Sequence, residues 1–363
     1  MCVTEEGLSR QPTVWERLPS PNNLRAARQI TETSAVTVNY GRTAIRQILC
    51  GNDKRLLVIV GPCSVHDSEA IIEFAERLAL VSRELSDDLA VVMRTYFEKS
   101  RTASGWPGMA IVPDVFGHAD PARGFALARS ISMKITDLGL PIAMEWVSAV
   151  GPAYLDDLVS WGCIGARTVE SQIHRQLASG LPMPVGMKNA TDGSIAAAVN
   201  AILTASHPQP WIGMAPEGTV AFRHTAGNPD CHLVLRGGRS GTNYHLEAER
   251  EAYRILAASG LPERLIIDAS HANSDKSHER QRVVAHDIAD RIATGDTAVC
   301  GIMLESFLSP GTQNAVATQP LIRGQSITDQ CMSWSTTAEV LTELAAAARS
   351  RTRTIPRRSK RQR

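Results

Sequence analysis

Residues 56–67 read LLVIVGPCSVHD, and this stretch decides the fold class. Five consecutive large apolar residues are followed by Gly61 and Pro62, which end the run, and then by Cys63. A strand with one face in water would alternate apolar and polar residues, whereas a strand that is apolar on both faces is typical of a parallel sheet covered by helices. Residues 142–147, IAMEWV, have the same character. Both stretches therefore predict a parallel sheet.

Eight segments of the chain have a strand-like composition, and amphipathic helical patterns separate most of them. The predicted strands are Leu56–Cys63, Leu89–Tyr96, Pro141–Val147, Cys163–Thr168, Pro184–Asn189, His232–Gly238, Arg264–His271 and Ala298–Phe307. Eight such strands in alternation with helices favour a closed (β/α)8 barrel, the TIM barrel of the α/β class, over an open sheet. Residues 211–228, WIGMAPEGTVAFRHTAGN, break this rhythm and predict an inserted β-hairpin.

The chain divides into three parts on this interpretation. Residues 51–348 are expected to form the catalytic barrel, and residues 1–50 an N-terminal extension with a helix at Val36–Leu49. Residues 349–363 contain eight basic residues and no acidic one, so we expect a disordered basic tail there.

Composition excludes several classes of protein. The 363 residues include 38 Lys+Arg and 37 Asp+Glu, a net charge of +1, and the basic tail leaves the rest of the chain net acidic. Such a body lacks the broad positive field that binds nucleic acid. No apolar run approaches the roughly 20 residues that span a bilayer, so no membrane partner is expected. Seven Cys without a CxxC pair argue against a disulfide framework and predict a cytoplasmic protein.

The carboxyl ends of the predicted strands carry many cations. TIM-barrel enzymes place their sites at these ends. Six basic residues lie there or just beyond: Arg94, Lys99, Arg101, Arg167, Lys188 and Arg236. Six positive charges at one mouth would repel each other unless anions lie among them, and phosphates and carboxylates suit arginine forks. The cluster predicts a pair of substrates with more than one phosphate. Lys188, placed among arginines, is expected to have a lowered pKa.

A second group at the same ends has one thiol, one imidazole and two carboxylates. Its members are Cys63, His271, Glu305 and Asp329. Mixed sulfur, nitrogen and oxygen donors suit a borderline divalent transition metal better than Mg²⁺ or Ca²⁺. The four residues are far apart in the sequence, so the prediction depends on all of them reaching one end of the barrel.

Motifs along the whole chain closely resemble one family. They are GPCSVHD (61–67), RTYFEKSRT (94–102), GARTVESQ (165–172), KNATDG (188–193), DCHLVLRGG (230–238), IIDASHANS (266–274), LES (304–306) and ITDQC (327–331). In this order they are similar to the class I, microbial type of 3-deoxy-D-arabino-heptulosonate 7-phosphate (DAHP) synthase. The resemblance implies a TIM barrel with an N-terminal extension and an inserted hairpin. It also implies the condensation of phosphoenolpyruvate with erythrose 4-phosphate, with release of phosphate, which is the first step of the shikimate pathway.

The resemblance further implies roles for individual residues. The metal ligands would be Cys63, His271, Glu305 and Asp329, holding one divalent ion of Mn, Co, Fe or Zn. Phosphoenolpyruvate would be bound by Arg94, Lys99, Arg167, Lys188 and Arg236, and the phosphate end of the sugar by Arg101 and Thr102. The implied catalytic residues are Lys99, Lys188, Glu145 and His271, and Glu145 and Lys188 are the candidates for moving the proton of the water that adds at C2. A homodimer or homotetramer formed through the N-terminal extension is implied as well.

Departures from the family's pattern leave alternatives open. Residues 105–113, GWPGMAIVP, stand where the family reads GWKGLINDP, so the same chemistry on a different aldose phosphate, in a specialised aromatic pathway, is the alternative function. The family's EFLD reads EWVS at residues 145–148, and Pro182 replaces a serine. We therefore expect weak or absent inhibition by aromatic amino acids. A Schiff-base aldolase that uses Lys188 is a second alternative, but it leaves the mixed donor set unexplained.

Overall fold

Eight parallel strands form a closed barrel in the computed structural model, which describes residues 15–354. The ten strands of this part of the chain are β1 Leu56–Gly61, β2 Leu89–Arg94, β3 Ile142–Glu145, β4 Trp161–Ile164, β5 Val185–Lys188, β6 Pro210–Met214, β7 Val220–His224, β8 Cys231–Leu235, β9 Leu265–Asp268 and β10 Val299–Glu305. The order around the barrel is β1-β2-β3-β4-β5-β8-β9-β10, and β10 pairs with β1 to close it. Strands β6 and β7 form a separate antiparallel hairpin. The predicted barrel with an inserted hairpin is confirmed.

Helices cover the outside of the barrel. Within residues 15–354 they are α1 Pro21–Ala27, α2 Glu32–Leu49, α3 Ser68–Glu84, α4 Pro121–Asp137, α5 Gly151–Leu155, α6 Gln172–Ser179, α7 Ile195–Ser206, α8 Leu246–Ala258, α9 His278–Ala293 and α10 Trp334–Thr354. Short 3₁₀ turns occur at Asp156–Leu158 and His271–Asn273. None of the helices in the described range is both long and apolar enough to cross a membrane.

One strand begins earlier than predicted. The fourth strand was expected at Cys163–Thr168, whereas β4 runs from Trp161 to Ile164. Trp161 is fully buried and belongs to the apolar cluster inside the barrel, and that burial fixes it as a strand residue. Six of the remaining seven predicted strands contain the observed ones, and the seventh, His232–Gly238, lacks only the first residue of β8, Cys231.

The extension closes the amino-terminal end of the barrel. Ile45 and Ile48 of α2 are buried in the same cluster as Leu57, Ala90 and Trp161, which point into the barrel from the starts of their strands. The described part of the extension therefore packs against the amino-terminal end of the barrel and covers it. Residues 1–14 of the predicted extension lie outside the described residues.

The prediction of a disordered tail is wrong for its first residues, 349–354. Helix α10 continues to Thr354, past the predicted boundary at residue 349. Arg351 is buried, and its guanidinium donates to the carbonyl oxygens of Val299 and Lys54 at the starts of the last and first barrel strands. Arg349 pairs with Asp88. These basic residues satisfy acceptors on the barrel, which is why the helix does not end where the positive charge begins. Residues 355–363 lie outside the described residues.

Candidate active site

Alternation along the strands explains how the polar residues come together. Every second side chain of a barrel strand points inward, so a polar residue at the carboxyl end continues the column of apolar residues below it. The columns are Ala90–Val92–Arg94, Ala143–Glu145, Gly186–Lys188, Val234–Arg236, Ile266–Asp268 and Met303–Glu305. The lower residues of these columns form the apolar interior, and the uppermost ones form a polar floor at the open end.

A cavity of about 300 Å³ lies above this floor. Its lining residues are Lys99, Ser100, Arg101, Thr102, Ala103, Ser104, Glu145, Gly165, Ala166, Arg167, Lys188, Thr191, Arg236, His271, Lys276 and Asp329. Most residues that the sequence predicted for the site are among them. The other predicted residues, Arg94, Cys63 and Glu305, are buried directly beneath. The structure thus brings the predicted basic cluster and the predicted donor set to one place.

Three of the four predicted metal ligands converge closely. One donor atom each of Cys63, Glu305 and Asp329 lies within 4.8 Å of the other two. The fourth, His271, is adjacent, with its Nε2 atom 3.9 Å from Oε1 of Glu305. His271 has a left-handed backbone (φ 57°) in the turn after β9, and this conformation directs its ring toward the set. Nitrogen, sulfur and oxygen donors are therefore present together in one small volume.

Lys99 shows that this donor set attracts a cation. Its ammonium lies 2.8 Å from Sγ of Cys63 and 3.4 Å from Oδ2 of Asp329. Burial alone would lower the pKa of Lys99, but the neighbouring Cys63 and Asp329 outweigh burial and hold it above its ordinary value. Burial and the nearby Glu305 raise the pKa of the Cys63 thiol to about 11. Such donors fit a divalent transition metal, whose charge would favour the thiolate.

Arg94 anchors the floor under the donor set. Its side chain is fully buried, and it donates to Oε1 of Glu305 at 2.8 Å and to the carbonyl oxygen of Pro62 at 3.1 Å. The guanidinium carbon lies 3.7 Å from the centre of the Tyr96 ring, a cation–π contact. These contacts hold the guanidinium in one orientation.

Asp268 joins two of the predicted catalytic residues, and the sequence did not assign it a role. Its Oδ2 lies 2.9 Å from Nζ of Lys188 and 2.9 Å from Nδ1 of His271. The expected lowering of the pKa of Lys188 is wrong: burial does lower it, but the charge of Asp268 outweighs burial and raises the pKa above its ordinary value. A protonated ammonium is a hydrogen-bond donor and not a nucleophile, so the arrangement disfavours the Schiff-base alternative.

The outer wall of the cavity carries the remaining predicted residues. Arg167 donates from Nε to Oγ1 of Thr102 at 3.0 Å. Glu145 packs its carboxylate against the backbone of Gly165, where a larger residue would collide with Oε1. Lys276, which the sequence did not single out, also lines the cavity and places Nζ 3.3 Å from Oδ1 of Asp329.

Residues 105–113, the segment that departs from the family's pattern, lie behind the cavity wall. The cavity is lined on this side by residues 99–104. Met109 and Ala110 are buried, and the carbonyl oxygen of Pro107 accepts a hydrogen bond from the backbone N–H of Lys99 at 2.9 Å. The segment supports the loop that carries Lys99, and its own side chains do not line the cavity.

Comparison with known proteins identifies the family. The chain matches the DAHP synthetase I family over residues 28–342. It is 45% identical over 350 residues to a phospho-2-dehydro-3-deoxyheptonate aldolase of Corynebacterium glutamicum, covering 94% of this chain and 95% of that protein. It is 46% identical to the Phe-sensitive enzyme of the same name from Escherichia coli K12, covering 88% of this chain and 91% of that protein. The structure of the Francisella tularensis enzyme of this name matches it with a TM-score of 0.92 and 38% identity, covering 94% of this chain and 99% of that one. The chain belongs to the DAHP synthetase I family.

Proposed function

We propose that this protein condenses phosphoenolpyruvate with erythrose 4-phosphate to give 3-deoxy-D-arabino-heptulosonate 7-phosphate and phosphate, the first step of the shikimate pathway. In this reaction C3 of phosphoenolpyruvate bonds to the aldehyde carbon, water adds at C2, and phosphate leaves. The observation that carries the proposal is the juxtaposition of a mixed metal-donor set with a basic cavity at the open end of the barrel. The names of the relatives support the same activity.

The metal would be held by the four donors described above: Cys63, His271, Glu305 and Asp329. It would supply Lewis-acid polarisation of the aldehyde oxygen. The ion is one of Mn, Co, Fe or Zn, since this donor set suits all four. Arg94 would then keep its bond to Glu305 and so orient that ligand from outside the metal sphere.

Phosphoenolpyruvate is assigned to the deeper part of the cavity. We assign its phosphate and carboxylate to Arg94, Lys99, Arg167, Lys188 and Arg236. Fixed cations in a site shielded from water stabilise charge that shifts as C3 attacks. The phosphate of the sugar is assigned to Arg101 and Thr102 at the mouth, where the bond from Arg167 holds the Thr102 hydroxyl in place.

Proton movement is assigned to two residues, Lys188 and Glu145, and three others hold the groups around them. The Glu145 carboxylate would accept the proton of the water that adds at C2, and the Lys188 ammonium, which Asp268 keeps protonated, would give one to the departing phosphate. His271 is oriented through Nδ1 by Asp268 and by Oγ of Ser270, which leaves Nε2 facing Glu305. Lys99 would place its ammonium between the donor set and the phosphoenolpyruvate carboxylate.

Release of phosphate from phosphoenolpyruvate tests the proposed function. Purified protein is assayed with erythrose 4-phosphate, after EDTA and again after addition of Mn²⁺ or Co²⁺. We expect EDTA to abolish turnover and either metal to restore it. Binding of phosphoenolpyruvate without turnover would transfer the proposal to another aldose phosphate, since the phosphoenolpyruvate half of the site would then be intact. Turnover that resists EDTA, with borohydride trapping of Lys188, would replace it with a Schiff-base aldolase.

Weak feedback inhibition is a separate prediction. Relatives include enzymes named as Phe-sensitive and Trp-sensitive. Here the Ser148 hydroxyl accepts a hydrogen bond from the backbone N–H of Gly151 at 3.0 Å. Pro182 has no side-chain group that could hydrogen-bond an inhibitor. We expect millimolar phenylalanine, tyrosine or tryptophan to leave the initial rate of phosphate release nearly unchanged. The matched variant, Ser148→Asp with Pro182→Ser, should gain sensitivity to one of them. Strong inhibition of the unaltered protein at micromolar concentration would contradict this prediction.

Self-association is proposed through the extension and the adjacent hairpin. Ile212 pairs with Phe222, and these side chains, together with Val220, leave one face of the hairpin apolar and exposed. The extension lies beside the turn of this hairpin, since the N–H of Asn22 donates to the carbonyl oxygen of Pro216. An exposed apolar face of this kind marks an interface, and the implied homodimer or homotetramer supplies a second copy to cover it.

The mass in solution tests this proposal. Sedimentation of the unaltered protein should give a dimer or tetramer, and Phe222→Arg should shift it toward the monomer because a charge would be buried in the interface. Val283→Arg, at an exposed apolar residue on α9, is the matched control and should keep the native mass. A monomeric unaltered protein would contradict the proposal.

A further inference from the structure

We infer that Asn243 is a positioning residue, whose buried amide fixes the backbone at Arg236 and Gly237 and thereby sets the affinity for phosphoenolpyruvate. This inference rests on the proposed function, because it assigns phosphoenolpyruvate to Arg236. Asn243 lies in the loop between β8 and α8 and does not line the cavity. Asn243 would therefore affect phosphoenolpyruvate binding only through the residues to which it is hydrogen-bonded.

Three buried asparagines connect the loops that follow β5, β8 and β9. Asn243 accepts the backbone N–H of Gly237 on Oδ1 at 2.6 Å, and its Nδ2 donates to Oδ1 of Asn189 at 3.2 Å. The same Oδ1 of Asn189 accepts the backbone N–H of Arg236 at 2.8 Å. The backbone N–H of Asn243 donates to Oδ1 of Asn273 at 2.8 Å. Two consecutive N–H groups after β8 are thus held by side-chain amides.

Two of these asparagines lie within two residues of one proposed to act on substrate or metal. Asn189 follows Lys188, and Asn273 is two residues after His271 in the same 3₁₀ turn. All three amides are at most 9% exposed. Gly237 has a left-handed backbone (φ 72°), and a Cβ there would lie 2.7 Å from the backbone nitrogen of Asn273. The loops are packed backbone to backbone, so they cannot shift independently.

The network requires an amide at position 243, because that side chain must both accept and donate. An aspartate of the same shape would still accept the Gly237 N–H, but its second oxygen would face the acceptor oxygen of Asn189. Protonation of that aspartate restores a donor. The charged residues bonded to the network are Arg236, through its backbone N–H, and Asp268, whose carbonyl oxygen accepts from Asn273. Arg291 donates to the carbonyl oxygen of the neighbouring Tyr244.

Calorimetric binding of phosphoenolpyruvate to Asn243→Asp tests the inference, with each affinity taken as a ratio to the unaltered protein at the same pH. At pH near 8 we expect binding to weaken by about tenfold or more. The variant loses the hydrogen bond to Asn189 and places two buried acceptor oxygens against each other. The ratio should return toward one as the pH falls and the aspartate becomes protonated. Asn243→Ala should weaken binding at every pH. A merely structural role would lower the melting temperature of Asn243→Asp and leave its affinity ratio near one at every pH.

Asn228→Asp is the matched control. Asn228 is a buried asparagine near the start of β8, and its amide donates to the carbonyl oxygens of Ala178, Leu181 and Met183, away from the cavity. Its loss should lower the melting temperature and leave phosphoenolpyruvate affinity unchanged. If Asn243→Asp does not fold, Asn243→Ser, which keeps one hydroxyl, is compared with Asn228→Ser in the same way.

The outcomes separate the two proposals. Equal affinity of Asn243→Asp and the unaltered protein at every pH would overturn the role of Asn243. The same loss of affinity in Asn228→Asp would overturn it too, since general destabilisation would then explain both. An unaltered protein that does not bind phosphoenolpyruvate at all would instead overturn the proposed function.

Discussion

The Lys188→Met variant is expected to lose a hundredfold or more of kcat/KM for phosphoenolpyruvate, about the effect of removing one preorganised charge donor from an active site. Lys188 is 2% exposed and forms its ion pair with Asp268 at the floor of the cavity. Methionine has a similar length and no charge, so packing is retained while the cation is lost. Steady-state phosphate release at varied phosphoenolpyruvate measures the change.

The stability of the same variant must be measured alongside its activity. Breaking a buried ion pair costs about 3–5 kcal/mol in free energy of unfolding when the remaining charge has no other partner, and Asp268 keeps His271 as a second partner, so we expect a loss of at most this size. The double variant Lys188→Met with Asp268→Asn removes both charges and should recover most of that stability, yet not the activity. Lys134→Met, on the exposed surface of α4, is the control that should change neither. Unchanged kcat/KM in the single variant would refute the catalytic role of Lys188.

The Cys63→Ser variant is expected to lose its metal and, with it, turnover. A hydroxyl is a far weaker ligand than a thiolate for a borderline divalent ion. Substitution of a residue that only holds a metal ligand in place already lowers metal affinity or activity by about 10–100-fold. The loss of a direct ligand should therefore lower metal affinity by a hundredfold or more. Metal content by mass spectrometry after dialysis, and titration of the dialysed protein with Mn²⁺, give readouts that do not depend on activity.

Cys331→Ser is the matched control for this variant. Cys331 is also buried, and its sulfur accepts the backbone N–H of Cys63 at 3.4 Å, but it is not part of the convergent donor set. A serine hydroxyl can accept the same N–H, so metal content and phosphate release should stay near those of the unaltered protein. Equal loss of metal in both variants would argue that Cys63 supports the site without binding the ion.

Much of the fold and of the candidate site could be predicted because they follow from patterns within short segments of the sequence. Apolar runs on both faces predict parallel strands, and the alternation within each run continues from Val92 to Arg94 and from Ile266 to Asp268. The same alternation decides which end residues point inward. Once the strands close into a barrel, the chemistry of their carboxyl ends must converge, as the basic cluster and the donor set do.

The residues that sequence analysis missed act through distant partners. Asp268 was visible as the end of a strand, but its two ion pairs depend on which neighbours the closed barrel supplies. Asn243 lies in an irregular loop, where no periodicity identifies it, and its bond to Asn189, at the end of the fifth predicted strand, depends on how two neighbouring strands sit in the closed barrel. Helix α6 was also missed, because its eight residues, QIHRQLAS, are too few and too polar to give a clear helical pattern.

The pairing of β1 with β10, the seam that closes the barrel, has a consequence for biosynthesis on the ribosome. Strand β1 has two sheet neighbours, and one of them, β10, is made near the end of the chain. Arg351, which bonds across this seam to the carbonyl oxygen of Lys54, emerges later still. At about 5–20 residues per second, the nascent chain spends tens of seconds with one edge of β1 unpaired. Such edges recruit other strands, so growing chains would depend on shielding of this edge until synthesis has passed Arg351.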